Sequence, residues 1–433
     1  MHIYFSGIGG TGIGPLALIA KQAGYEVSGS DKQDSQYIAY LKDQGINNIH
    51  IGQTEAGIAE VHQQNPIDWF VYSSSISIEN PDHPELKFVE AKSIKHSKRD
   101  EFLSKLLDEK TQKLVAIAGT HGKSTTTAMT IWLFKELHIP VSYSVGAKLS
   151  FGDMGQFDPK SEYFVYECDE FDRNFLAFHP YISLISGIAW DHHEIYPTAE
   201  SYQQAFRDFL NQSEKRVIWN DDYTGIPFVG EEGSFTVLTD MDEGFSDITL
   251  KGNVNRRDAW LAVMAVHQIT NEPVQKLIGI INEFPGLSRR MEQIAPNLYS
   301  DYAHTPEKIA GCMNTALELA HEANQKVVVI YEPLTNRRMH YTRDQHSDVF
   351  NGASSIYWVP TYLAREDPSQ TVLTPSELIQ SLSTDLQQIA RPMELNDELK
   401  TVIQTHLDAN DLVVAISGGG GNSLDEWLRK EFK

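Results

Sequence analysis

Cysteine is nearly missing from this chain. Cys168 and Cys312 are the only two in 433 residues, which excludes a disulfide framework, offers no cysteine spacing for a metal site and fits a reducing compartment. Positive charge is scarce as well: 36 Lys and Arg stand against 59 Asp and Glu, a net charge of −23. That balance argues against a nucleic-acid backbone as main partner and leaves room only for a local basic pocket. There is no apolar run of about 18 residues able to span a bilayer and no basic-then-apolar leader, so a cytoplasmic protein without integral membrane contact is expected. Internal repeats and low-complexity tracts are absent too. A chain of this length exceeds one hydrophobic core and points to about two to four domains.

What is present is most explicit at residues 114–134, LVAIAGTHGKSTTTAMTIWLF. An apolar, β-branched run ends in a turn containing Gly119 and Gly122, and Lys123 and Ser124 open a segment with helical apolar spacing. Strand, glycine turn and helix in that order form a phosphate loop: backbone N–H groups converge on phosphate oxygens, Lys123 reaches the outer phosphates and Ser124 can ligate magnesium. The pattern departs from GxxxxGK[ST] in having Ile117 where the first glycine would stand.

The chain opens with a second glycine pattern. An apolar strand is followed by Gly7, Gly9 and Gly12 in GxGxxG spacing, an amphipathic helix and a short strand ending at Asp31. This is the dinucleotide fingerprint in its strand-turn-helix context, with an acid placed to meet a ribose. Alone it suggests an NAD-dependent oxidoreductase. The next strand, DWFVYSSSIS, carries Ser73, Ser74 and Ser75 at its carboxyl end, where open α/β sheets bind ligands, although serines there serve equally as turn and cap residues.

After the phosphate loop, EYFVYECDEFD places Glu167 at the end of a strand with Asp169, Glu170 and Asp172 just beyond. Carboxylates at a strand end facing a phosphate loop suit magnesium, a hard cation that takes few protein ligands; the plainer reading is a solvated turn. YISLISGIAW is another apolar strand, ending in Asp191, His192 and His193. Adjacent histidines point in opposite directions on extended chain, so one is a ligand or proton carrier and the other structural. Farther on, Arg289, Arg290, Arg337, Arg338, Arg343 and Arg365 stand in or beside loops between strand-like segments. In so acidic a chain such a set points to an anionic ligand.

Taken in order, GIGGTGIG (7–14), SSSIS with NP (73–81), GTHGKSTTT (119–127), ECDEFD (167–172), DHHEIY (191–196), GNVN (252–255), GLSRRME (286–292), DYAHTP (301–306), YLAREDP (362–368) and GGGGN (418–422) resemble the Mur ligases, the ATP-dependent amide-forming enzymes of peptidoglycan synthesis, across essentially the whole chain. The resemblance implies an α/β protein of three domains: a Rossmann-like N-terminal domain (1–107), a central P-loop ATPase-like domain with a mainly parallel sheet (108–287) and a Rossmann-like C-terminal domain (288–433). It implies L-alanine and UDP-N-acetylmuramate as substrates, ATP and Mg2+ as cofactors, an acyl-phosphate intermediate, and a monomer or homodimer.

The resemblance also implies roles. The sugar nucleotide, rather than NAD, would lie on Gly9, Gly10, Thr11, Gly12, Asp31 and Ser73, Ser74 and Ser75. ATP would meet Gly119, Thr120, His121, Gly122, Lys123, Ser124, Thr125, Asn255, Arg290 and Asp301. The metal would be held by Ser124, Glu167 and His192, with Lys123, Glu167 and His192 catalytic, and the amino acid would meet Arg343, Arg365 and His304. Several features depart from the family pattern. EPLTNRR (332–338) has the flavour of the recycling member that attaches a whole tripeptide, no lysine stands between Lys160 and Lys215 to serve as the carbamylated metal ligand of some relatives, and the segment from Asp222 to Gly252 is abbreviated. A non-catalytic nucleotide-binding protein is the remaining alternative.

Overall fold

A computed structural model describes the chain apart from residues 75, 77–79, 81, 193, 194, 227–234, 365 and 433. Two expected site residues, Ser75 and Arg365, therefore lie outside the described residues. The described strands form three sheets, as the α/β reading requires.

The first sheet is five-stranded and parallel, in the spatial order Ile49–Ile51, Glu26–Asp31, His2–Ser6, Trp69–Tyr72, Lys95–Lys98. The strand order reverses between His2–Ser6 and Trp69–Tyr72, and a doubly wound sheet opens its ligand crevice at the carboxyl ends of such a pair. The glycine turn begins at Gly7 beyond the first strand and Ser73 follows the second. The helix Arg99–Lys110 closes this sheet; it runs three residues past the expected boundary at 107. Phe102 on that helix packs edge-on against Phe5 and Trp69, with ring centroids 5.5 and 5.1 Å away.

The central sheet has seven strands in the order Phe235–Leu238, Lys215–Trp219, Ile182–Ile185, Lys113–Ala118, Tyr163–Glu167, Ser142–Ser144, Gly155–Gln156. All pairings are parallel except the last. Strands covered on both faces read as continuous apolar runs, and Leu114 to Ala118 are all buried. The register settles the departure at Ile117. That residue pairs with Leu184 on one side and with Glu167 on the other, so it belongs to the strand core, and the loop starts only at Gly119. The helix Lys123–Glu136 follows, and Thr126 and Thr127 face its packed side, both fully buried. A shared core runs from Leu16, Ile19 and Phe102 of the first sheet's layers to Phe164, Phe175 and Phe206 of the second.

The third sheet has six strands, Glu292–Ala295, Leu298–Asp301, Leu412–Ser417, Val327–Glu332, Ala353–Trp358 and Ala390–Pro392, parallel except for the first pair. By contacts the chain divides into two compact units, residues 1–248 with 257–284 and residues 249–256 with 285–433. The first two sheets belong to the first unit and the third sheet to the second.

Candidate active site

The phosphate loop owes its shape to two glycines in the left-handed half of backbone space. Gly119 has φ +146° and Gly122 φ +75°, values that cost a residue with a Cβ. Space excludes a side chain as well, since a Cβ at Gly122 would lie 2.5 Å from Asp258 Oδ1. Thr120 is tied to the next strand's end: its N–H donates to Gly187 O at 2.8 Å and its hydroxyl to Ala189 O at 2.7 Å. The His121 ring stacks over Gly187, where a Cβ would come within 2.2 Å.

Lys123 opens the helix and turns back over the loop. Its Nζ donates to both carboxylate oxygens of Glu170, at 3.0 and 2.7 Å, and to Gly119 O. Glu170 is 1% exposed. Burial pushes its carboxyl pKa up, but Lys123 and His192 more than offset this and hold it well below the ordinary carboxylate range. Burial lowers the pKa of Lys123, and Glu170 and Asp169 more than restore it, so the ammonium stays charged. His192 Nε2 lies 3.7 Å from Glu170 Oε1. Burial works against the imidazolium, yet the Glu170 carboxylate beside it and the nearby Asp191 raise the net pKa.

Glu167 does a different job. Its Oε1 accepts from Ser124 Oγ at 2.9 Å and its Oε2 from Gly146 N–H at 2.8 Å. The structure thus brings Ser124 and Glu167 together and sets His192 beside Glu170 instead, so two of the three expected metal residues stand together and the third is turned to another acid. Among the described residues no group of three or more His, Cys, Asp or Glu is arranged to hold a metal. A hydroxyl and a carboxylate side by side nevertheless fit magnesium, which prefers oxygen, uses one or two protein ligands and completes its shell with water and phosphate. Thr125 is buried in the same helix.

The remaining acids of ECDEFD reach across to the first sheet. Asp169 Oδ2 accepts from Arg99 Nη2 at 2.5 Å, and Asp172 is ion-paired with Lys98. Arg99 Nε also donates to Asp100 Oδ2 at 3.0 Å. On the glycine turn, Asp31 Oδ2 accepts from Gly9 N–H at 2.8 Å, so the acid expected at a ribose also fixes the turn. Gly10 N–H bonds back to Gly7 O. Ser74 donates to Asn174 Oδ1 at 3.1 Å, and Ser73 stands at the strand's end. A cavity of about 250 Å³ is lined by residues of both glycine motifs' neighbourhoods, among them Thr11, Gly12, Arg99, Lys123, Glu167 and Asp169. Neither Glu170 nor Arg99 stood out from sequence. Glu170 is one of four acids in six residues, and Arg99 lies 20 positions before Gly119, where the phosphate loop starts.

In the second unit, Asn255 donates to Lys251 O at 2.7 Å. Asp301 is buried and accepts N–H bonds from Met291 and Ala303, both at 2.8 Å; burial raises its pKa against the opposing pull of Arg290. His304 Nδ1 meets Tyr302 O at 2.8 Å. Its pKa is driven well down by burial and then by Lys308, Arg338 and Arg290. These are the cations that bear on His304; Arg343, half-exposed, has Asp344 at 3.7 Å. Arg338 Nη1 is buried without a hydrogen-bond partner among the described residues, the state expected of a donor that awaits an anion.

Residues 2–111 match the family model described as "Mur ligase family, catalytic domain" and residues 117–279 the "Mur ligase middle domain", together more than half of the chain. The chain is 26% identical to the UDP-N-acetylmuramate–L-alanine ligase of Rickettsia canadensis, covering 99% of this chain and 96% of that one. It is 29% identical to the enzyme of the same name from Clostridium acetobutylicum, covering 86% and 85%. Among solved structures, the UDP-N-acetylmuramate-alanine ligase of Thermotoga maritima superposes with a TM-score of 0.76 at 23% identity, covering 100% of this chain and 98% of that one. The chain belongs to the Mur ligase family.

Proposed function

We propose that this protein is an ATP-dependent ligase that joins L-alanine to the carboxylate of UDP-N-acetylmuramate, with release of ADP and phosphate, and that it works in the cytoplasm. The observation that carries the reading is the shared cavity, in which the glycine turn of the first sheet (Thr11, Gly12) and the phosphate-loop cation Lys123 line one space. A sugar nucleotide on the first and a triphosphate on the second bring a carboxylate and a phosphoryl group to the same place. The names carried by relatives at full-length coverage support the same substrates.

A carboxylate is a poor acyl donor, and phosphorylation gives it a leaving group. Lys123 supplies positive charge to the transferring phosphoryl oxygens, and Glu170 keeps that lysine charged and aimed into the loop. Ser124 and Glu167 would hold Mg2+, which when bound offsets charge on the phosphates. The amine attacks only as a free base. His192, whose pKa is raised by Glu170, can accept its proton only after releasing its own, so it acts as base on the alkaline side of its titration. The oxidoreductase reading gives the Lys123–Glu170 pair no task and is not favoured.

The test is phosphate release by purified protein with UDP-N-acetylmuramate and ATP-magnesium, screened against the amino acids and the murein tripeptide. Release dependent on L-alanine is expected. Release only with the tripeptide would make the chain a recycling ligase, and none with any amine would leave a nucleotide-binding protein.

A further inference from the structure

Arg99 is the cavity's second cation, and no step above uses it. It begins the last helix of the first sheet, its side chain is 16% exposed, and it lines the cavity with Thr11, Gly12 and Lys123. Two sides of its guanidinium are engaged, Nε with Asp100 and Nη2 with Asp169. Among the described residues Nη1 makes no hydrogen bond. That nitrogen is pressed against the glycine turn, where a Cβ on Gly12 would lie 2.1 Å from it. A side chain at position 12 would therefore have to push the outer nitrogen of Arg99 aside.

Asp169 ties Arg99 to the phosphate-loop side. It lies between Glu167, which holds Ser124, and Glu170, which holds Lys123, and its Oδ1 also accepts from Phe171 N–H at 3.1 Å. The turn after it is unusual in that Asp172 and Arg173 both have positive φ, 53° and 55°. A turn held in such sparsely populated conformations persists because its surroundings fix it, and Arg99 with Lys98 supplies that fixing from the first sheet.

We propose that Arg99 joins the two halves of the site: its open Nη1 binds an oxyanion of the sugar nucleotide above Gly12, while its Nη2 positions the Asp169 turn that carries Glu167 and Glu170. A planar guanidinium suits this double task, since its donors point in fixed directions and one can meet a ligand while the others stay engaged. The oxyanion is the diphosphate or the carboxylate of the sugar nucleotide. The proposal rests on the sugar-nucleotide reading above. If the unaltered protein binds neither UDP nor UDP-N-acetylmuramate, that reading fails; the outcomes below concern Arg99 alone.

The experiment is calorimetric binding of UDP, UDP-N-acetylmuramate and a non-hydrolysable ATP analogue to the full chain and its variants. Arg99→Met should weaken UDP-N-acetylmuramate about tenfold or more, the scale of a charge-assisted hydrogen bond, with partial recovery in Arg99→Lys and ATP-analogue binding within about twofold of the original. An equal loss for UDP locates the contact at the diphosphate; a loss confined to UDP-N-acetylmuramate locates it at the carboxylate. Asp169→Asn leaves Nη1 in place, so it should lower kcat with little change in sugar-nucleotide affinity. If Arg99→Met does not fold, Gly12→Ala, which drives Nη1 off its position, takes its place with the same expected loss. Unchanged sugar-nucleotide affinity in folded Arg99→Met or Gly12→Ala, or an equal loss of ATP-analogue binding in either, overturns the proposal.

Discussion

Lys123 and Glu170 are bound through both carboxylate oxygens, at 3.0 and 2.7 Å, with the carboxylate 1% and the lysine side chain 18% exposed. Removing one member of a buried pair strands the other. Lys123→Ala should therefore abolish turnover and also lower stability by about 3–5 kcal/mol, read by denaturant unfolding. Activity loss without any stability loss would mean the pair is not formed in solution.

The same pair governs the pH profile. Glu170 titrates below its ordinary value of 4.5, so its contribution to stability is present above that value and is lost as pH falls through the lower native one. His192 titrates above 6.5, so its contribution is complete below 6.5 and is lost as pH rises through the higher native one. The difference in unfolding free energy between the original protein and Glu170→Gln should be largest between about pH 4.5 and 6.5. In the variant the His192 pKa, followed by NMR, should move down. A flat difference across this range, or a His192 titration that does not move, would remove Glu170 from the imidazole's surroundings.

Gly122→Ala should cost about 1–3 kcal/mol for the forced left-handed backbone, and more for the 2.5 Å approach to Asp258, with ATP-analogue binding lost alongside. A variant as stable as the original would place the glycine's importance in ligand contact alone.

Ser124→Ala deletes the hydroxyl beside Glu167. The magnesium concentration for half-maximal activity should rise about tenfold or more, the scale of one lost oxygen contact to a charged centre, while stability changes by less than about 1 kcal/mol. An unshifted magnesium requirement would separate this pair from the metal.

In the second unit, Arg338 bears on His304, which the family resemblance sets at the amino acid, so Arg338→Gln should raise the KM for the amine substrate about tenfold, leaving ATP-analogue affinity unchanged, because the buried Nη1 then no longer offers a charge. The pKa of His304, which Arg338 helps to depress, should rise in the same variant.

What the sequence disclosed and what it concealed follow from the reach of each interaction. The phosphate loop was legible because its strand, glycines and lysine are consecutive and the conformations at Gly119 and Gly122 demand glycine locally. Ile117 looked like a defect only until strand register put it opposite Leu184 and Glu167. The division of labour among the acids was not legible. Glu167 and Glu170 differ by three positions, and the fold sends the first to Ser124 and the second to Lys123. His192 was identified as a site residue, but its partner Glu170 is 22 positions away and only the fold selects it over Glu167. Arg99 meets Asp169 across 70 positions, beyond any pattern of spacing.

The most direct measurement of the central claim uses UDP-N-acetylmuramate carrying oxygen-18 in both carboxylate oxygens, turned over with L-alanine and ATP-magnesium. Activation of the carboxylate as an acyl phosphate predicts one labelled oxygen in each phosphate released, with formation of the amide product. Unlabelled phosphate accompanying amide formation would contradict it.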